Sequence, residues 1–336
     1  MIRSYRANSG AGIEGLTLRR HEPPMPGPGE VVVAVQAASL SFRELLILRG
    51  SYVLPVKPDV VPVSDGAGVV AAVGSQVQGW QVGDRVAASV FPNWRDGPFG
   101  LAALPQLGGS LDGMLTEFAL LPEGALVRIP EHLSYAEAAT LPCVGVTAWN
   151  ALTGDGHGVG PGQTVLTLGS TGVSLFSIQF AKLLGARVIA TTGSPDKEQR
   201  LRELGADEVI NYATTPDWHL AVRELTGGRG VDRVVDVAGD VSRSLQSVAM
   251  NGHVALVGFV SGNRPPIDPG LLFGAVATVR GVSVGSRSQF EDMNRVIGEH
   301  RLRPVVDRVF GFDDAVDAYR YYESAKPFGK VVITVG

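Results

Sequence analysis

Between residues 164 and 212, apolar runs of strand length alternate with apolar positions at helical spacing. The run Val165–Leu168 stops at Gly169, and Val173, Phe176, Phe180 and Leu184 then recur at three- and four-residue steps, the signature of one buried helix face. Gly185 closes that helix, and Val188-Ile189-Ala190 forms a second apolar run. The alternation continues through Glu208–Ile210, Val234–Val237, Val254–Val257 and Val279–Val284, which predicts an α/β fold with a doubly wound parallel sheet. Residues 27–128 read differently. Short apolar runs at 31–35, 68–74 and 85–90, bounded by Gly, Pro or Asp, predict a β-rich region, followed by a long Gly- and Pro-rich loop over 91–113. That loop carries Trp94 and two phenylalanines, a content that suggests a flat or apolar small molecule nearby. Ser134 with Glu137 three residues on is a capping box. Helices are predicted near 288–300 and 313–323, and a last strand at Lys330–Val335, a tail expected to pack back on the N-terminal β region.

A strand, a glycine turn and a helix in succession direct backbone N–H groups and the positive end of a helix dipole at one point, a natural seat for a pyrophosphate. The usual Gly-x-Gly-x-x-Gly spacing is only partly present: its positions are Gly169, Thr171 and Ser174, with Gly172 adding permissive backbone. Ser170 and Thr171 offer hydroxyls where bare backbone is missing, and Val173 opens the helix. A tight turn in any α/β protein is the competing explanation. At the end of the second strand, 23 residues past Gly169, NAD sites usually carry a carboxylate. Here stand Thr191, Thr192, Gly193 and Ser194, followed by Lys197 and Arg200, which suits the 2′-phosphate of NADP(H) better than NAD(H). Ser194-Pro195 is also a good start for a helix ending at Gly205, in which case Lys197 and Arg200 are its solvated face.

The chain has 336 residues, enough for about two domains. A net charge of −4 without a basic run argues against a nucleic-acid surface. The N-terminus lacks a signal-peptide pattern and no apolar stretch is long enough for a bilayer, so a cytoplasmic location is expected. One cysteine excludes an internal disulfide and an all-cysteine metal cluster.

Several landmarks occur in order along the chain: Pro26-Gly-Pro-Gly-Glu-Val, Ser39-Leu-Ser41-Phe-Arg-Glu44, Arg49-Gly-Ser-Tyr52, Asp65-Gly-Ala-Gly, Gly83-Asp-Arg-Val, Gly145-Val-Thr147, Leu204-Gly-Ala-Asp-Glu-Val-Ile-Asn-Tyr212 and Phe328-Gly-Lys330-Val-Val. With these the chain resembles the medium-chain dehydrogenase/reductase superfamily over essentially its full length, and within it the quinone-reductase-like members. The resemblance implies a GroES-like, partly open β-barrel catalytic domain (1–133 and 281–336) and a Rossmann domain (134–280). In the superfamily's zinc enzymes a Cys, a His-Glu pair and a later Cys hold the metal. The matching positions here are Ser41, Ser64-Asp65 and Cys143, and the six histidines fall elsewhere, so no metal is expected. Cys143 is expected to be a small buried hydrophobe.

The resemblance further implies candidate catalytic helpers at Ser41, Glu44 and Tyr52, with Tyr52 alternatively a loop anchor and Glu44 a structural partner of Arg43 or Arg49. It implies cofactor contacts at Thr147, Tyr212, Ala238, Gly258, Phe259, Gly285, Ser286 and Lys330, with Tyr212 and Lys330 flanking the 2′-phosphate. These join the turn and strand-end residues Gly169, Ser170, Thr171, Gly172, Val173, Thr192, Ser194 and Lys197. A zinc-free NADPH-dependent reductase of a quinone, activated alkene or carbonyl follows, with a homodimer through the Val279–Val284 sheet edge. The alternatives are an alcohol dehydrogenase, a cofactor-binding sensor or structural protein with little turnover, and a domain acting on carrier-bound acyl chains.

Overall fold

The computed structural model describes residues 1–154, 156–262, 266–324 and 327–336. Two units divide the chain: Met1–Val146 with Gly285–Gly336, and Thr147–Val284.

The first unit begins with the hairpin β1 (Ile2–Arg6) and β2 (Thr17–His21), then β3 (Glu30–Ser39), helix α1 (Phe42–Leu48), β4 (Asp65–Val73), β5 (Arg85–Ala88), β6 (Phe118–Pro122), β7 (Leu126–Arg128) and the short α2 (Tyr135–Ala138). Strand β3 organises it. Val31, Val32, Val33, Val35, Ala37 and Ala38 are all buried, so the strand has core on both faces. One of its edges pairs along its length with β4; the other pairs first with β6 and then with the strand at the end of the chain. Two register irregularities against β4 bend it, as the closure of a GroES-like barrel requires.

The second unit follows the chain through α3 (Val146–Thr153, whose first residue belongs to the first unit), β8 (Thr164–Thr167), α4 (Gly172–Leu183), β9 (Arg187–Thr192), α5 (Pro195–Leu204), β10 (Glu208–Asn211), α6 (Trp218–Leu225), β11 (Val231–Asp236), α7 (Val241–Ser247), β12 (Val248–Leu256), α8 (Pro269–Ala275) and β13 (Thr278–Gly281). Its sheet order is β10-β9-β8-β11-β12-β13, parallel throughout. That order reverses direction between β8 and β11, which places the ligand crevice of such sheets at the carboxyl ends of those two strands. The chain then returns to the first unit as α9 (Arg287–His300), β14 (Val306–Phe310), α10 (Ala315–Ser324) and β15 (Lys330–Thr334), with β15 antiparallel to β3.

Three expectations change in detail. Residues 135–146 belong to the first unit rather than starting the second, because Ala138, Ala139 and Leu141 are buried there. The edge strand ends at Gly281, and Val284 takes a left-handed φ of 56° where the chain leaves the second unit. The aromatic residues of the 91–113 loop pack on one another: Phe99 lies 5.0 Å from Phe91 and 4.7 Å from Trp94 between ring centroids, and Phe91 and Trp94 are buried. They form a small core of the loop instead of a lining for a ligand. The carbonyls of Trp94 and Arg95 accept the Arg287 and Ser288 N–H groups, so this loop caps the start of α9.

Close approach sets one glycine. A Cβ on Gly74 would stand 1.9 Å from the Gly27 carbonyl oxygen, and neither backbone can yield. Gly74→Ala is therefore expected to cost about 3 kcal/mol or more. Gly79→Ala, where a Cβ meets nothing closer than 4.0 Å, is expected to leave the urea unfolding midpoint unchanged.

Candidate active site

Within the first unit, strand register brings together side chains that are far apart in sequence. Ser39 on β3 is opposite Asp65 on β4 and Val332 on β15, so Leu40-Ser41, Asp65 and Lys330 meet where three strands end. All of these side chains are buried, with Lys330 2 % and Asp65 0 % exposed. The Lys330 ammonium donates to the Ser41 Oγ at 2.7 Å and to the Leu40 carbonyl, and stands 3.5 Å from Asp65 Oδ2. Ser41 Oγ donates onward to Asp65 Oδ2 (3.1 Å), and Ser64 Oγ donates to Asp65 Oδ1 (2.9 Å). Burial pushes the Asp65 carboxyl above its ordinary value, against the opposing pull of the Lys330 charge.

A second carboxylate lies beside it. Glu44, on α1 and 1 % exposed, accepts through Oε1 from Arg43 Nη1 (2.9 Å) and from the Ser64 N–H (3.3 Å), and shares with Asp65 the single proton of the Ser64 hydroxyl, 3.3 Å away. The Arg43 guanidinium also donates to Gln106 Oε1 (2.7 Å) and Tyr52 Oη (3.3 Å), and stacks 5.0 Å above the Tyr52 ring. Tyr52 in turn donates to Gln106 (2.9 Å). Tyr52 is thus held within this network, and Glu44 is paired with Arg43, while Arg49 pairs with Glu323. Val63, just before Ser64, holds a φ of 71°, a costly conformation for a β-branched residue, worth about 1–3 kcal/mol of strain. Its carbonyl accepts from Met114 N–H, and Gly108 and Gly113 pack against its backbone too closely for any Cβ. The strain aims Ser64 and Asp65 at the cluster. Cys143 sits in a single π-helical turn, Leu141–Gly145, and burial raises its thiol to about 12, so it stays protonated.

In the second unit the turn after β8 is built as its sequence requires. Gly169 takes φ 82°, and its N–H donates to Thr191 Oγ1 at 3.1 Å. Thr171 is the N-cap of α4 but makes no side-chain cap; its carbonyl accepts the Ser174 N–H (2.8 Å), and the N–H groups of Gly172 and Val173 are left for a ligand. Ser174 Oγ is turned back onto the Leu168 carbonyl (2.6 Å). Thr192 is 1 % exposed and its hydroxyl is used internally, donating to Ser170 and accepting from Ser194 N–H; it shapes the strand end instead of facing a ligand. Ser194 and Lys197 open α5, and Tyr212 lies against Gly193, where a Cβ would meet its ring at 2.6 Å. Thr147 is buried at the start of this unit, and Gly258 and the partly exposed Phe259 follow β12.

Three expected cofactor contacts belong to the first unit. Lys330, expected beside the 2′-phosphate, is buried with its three donors directed at Leu40, Ser41 and Asp65, because β15 begins beside the end of β3 and the start of β4. Ser286 is the N-cap of α9 and forms a capping box with Gln289, and it and Gly285 belong to the first unit. Sequence reasoning missed Gln106 and Asp236. Asp236, at the end of β11, accepts the Ala238 and Gly239 N–H groups (2.9 and 2.8 Å) and the Ser244 hydroxyl, and so shapes the loop at the crevice. A carboxylate closing an apolar strand just before Ala238-Gly239 was the available signal.

Comparison with known proteins agrees with this architecture. Residues 27–131 match the alcohol dehydrogenase GroES-like domain, and residues 172–299 match the zinc-binding dehydrogenase domain. A zinc-type alcohol dehydrogenase-like protein of Schizosaccharomyces pombe is 42% identical over 97% of this chain and 96% of its own. A chloroplast envelope quinone oxidoreductase homolog of Arabidopsis thaliana is 30% identical over 99% and 98%. The crystal structure of an NAD-dependent alcohol dehydrogenase, 36% identical, superposes with a TM-score of 0.89 over 99% of this chain and all of that one. The chain belongs to the medium-chain dehydrogenase/reductase superfamily, and its activity is that of an NAD(P)H-dependent oxidoreductase.

The crevice residues fit a nicotinamide dinucleotide: a left-handed glycine and an uncapped helix start stand at the strand-order reversal. The zinc positions do not fit a metal. Serine hydroxyls stand where thiolate and imidazole are needed, and Asp65 is bound by an ammonium and two hydroxyls. Asp65→Asn, which leaves the Lys330 charge buried without a carboxylate, is expected to cost about 3–5 kcal/mol in chemical unfolding at pH 7.

Proposed function

We propose that this oxidoreductase is zinc-independent and uses NADPH to reduce a quinone or an activated alkene or carbonyl. The observation that carries this reading is the closed Lys330–Ser41–Asp65–Ser64 network at the positions that hold zinc in the zinc enzymes. Residues closed on one another in this way offer no ligands for the Lewis acid that would stabilise an alkoxide in alcohol oxidation. Reduction of an electron-poor acceptor needs mainly positioning, with the proton supplied by water. The cofactor, when bound, supplies two electrons and a hydrogen nucleus as hydride. The protein's part is to hold its pyrophosphate on the Gly169 turn and the start of α4, and to present Ala238, Gly258 and Phe259 along the crevice.

NADPH is favoured over NADH because β9 ends in Thr191-Thr192-Gly193-Ser194 without a carboxylate, and Lys197 lies in the first turn of α5. A cytoplasmic location is part of this proposal. Among the described residues no helix is long and apolar enough to cross a membrane. A homodimer is proposed through the open edge of β13, where Phe273 and Val276 on and after α8 are exposed. The name of the fission-yeast relative favours a second reading, an alcohol dehydrogenase restored by zinc.

Chelator-treated protein is expected to oxidise NADPH with a panel of quinones and enones. Failure with every acceptor, together with alcohol oxidation that appears on adding zinc, would establish the second reading. For the cofactor, Lys197→Glu is expected to raise the Kd for NADPH by about tenfold or more while leaving NADH within about twofold, on the usual scale of a charge-assisted phosphate contact. Equal losses would put the 2′-phosphate elsewhere.

A further inference from the structure

The cluster around Asp65 holds four buried charged side chains: Arg43, Lys330, Glu44 and Asp65, two of each sign. They are joined without a break. Lys330 reaches Asp65 directly and through Ser41, Asp65 reaches Glu44 through the Ser64 hydroxyl, and Glu44 is paired with Arg43. With both carboxyl groups ionised, the quartet sums to zero, and the serines and the protonated Cys143 add nothing. A dication placed here would meet no compensating charge in a medium where uncompensated charge is heavily penalised.

We propose that Lys330 is a positioning residue that does the structural work of a metal: its ammonium fixes Ser41 and Asp65, and the neutral quartet that it completes excludes a divalent cation. The surroundings of Ser64 have the form of the outer part of a metal site. Glu44 receives the Ser64 N–H, and a share of its hydroxyl proton, as a carboxylate receives the far N–H of a ligating imidazole, and the strained Val63 keeps position 64 aimed at it. Ser41 and Ser64 donate to the two oxygens of one carboxylate, so their side chains lie close together, and the Cys143 thiol feels both Asp65 and Lys330. What the pocket lacks is ligands and the negative charge that they would bring. Two thiolates would offset the charge of a dication. One would come from the Ser41→Cys substitution and the other from Cys143, and a Ser64→His substitution would complete a Cys₂His set.

This inference rests on the zinc-independent reading, but it is tested on metal content and stability, separately from turnover. Full-length wild-type protein, dialysed against zinc and then against buffer, is expected to keep a substoichiometric amount. The combined Ser41→Cys, Ser64→His variant is expected to take up one cobalt per chain and to show the visible bands of a tetrahedral thiolate site. Lys330→Met removes the counter-ion of Asp65, whose carboxyl then rises further. An acid with a raised folded value loses stability as pH climbs through that value, so the melting temperature of this variant should fall progressively further below wild type as the pH rises above the ordinary carboxylate range. Lys330→Arg should follow wild type. The proposal is overturned by stoichiometric zinc in the wild type, by a combined variant that is folded by circular dichroism yet takes up no cobalt, or by a Lys330→Met deficit independent of pH. Should Lys330→Met not fold, the two metal measurements still decide.

Discussion

The first unit depends on a charge placed at a strand junction. Lys330 opens the last strand of the protein, and its ammonium reaches the end of β3 and the start of β4. Burying a lysine this completely is tolerable only with all three donors satisfied and a carboxylate at hand. Those conditions tie the chain's C-terminal segment to residues 41 and 65, nearly three hundred positions earlier for the first of them. The cost of the arrangement explains its neighbours: a second carboxylate, a buried arginine and two serines that leave few polar atoms of the cluster unpaired.

Around that junction the backbone is held under tension. Val63 adopts a conformation normally left to glycine, and it persists because Gly108 and Gly113 press on it and Met114 binds its carbonyl. Strain of this kind survives only where the surroundings over-determine it, and it gathers at sites that must present particular side chains. The long loop after β5, which supplies those glycines, therefore serves the site through its backbone. Its aromatic residues hold the loop together and cap α9.

The second unit works by backbone geometry and is correspondingly simple. A left-handed glycine, a helix start without a side-chain cap and a sheet that changes winding direction leave N–H groups and a dipole facing one crevice. Its side chains mostly brace that frame. Thr191 holds Gly169, Thr192 links Ser170 to Ser194, and Asp236 gathers the loop at Ala238 and Gly239.

Local patterns alone determined a good deal. The strand–turn–helix at 164–183, the capping box at Ser134, the α5 helix running from Ser194-Pro195 to Gly205 and the alternating sheet all depend on neighbouring residues, and each was readable from spacing. The β2 strand, Thr-Leu-Arg-Arg-His, is exposed on both faces and so carries no apolar alternation, and the three-residue β7 is too short to show any, so neither was readable. Lys330 shows the limit most clearly. Its sequence neighbourhood, Phe-Gly-Lys-Val-Val, says only that a strand begins, and a lysine there suits a phosphate as well as a buried carboxylate. The register between β15, β3 and β4 decided which, because only in three dimensions do Ser41 and Asp65 arrive beside its ammonium. Sequence settles what a residue does to its own turn or helix; the partner of a buried charge is chosen by how distant strands align.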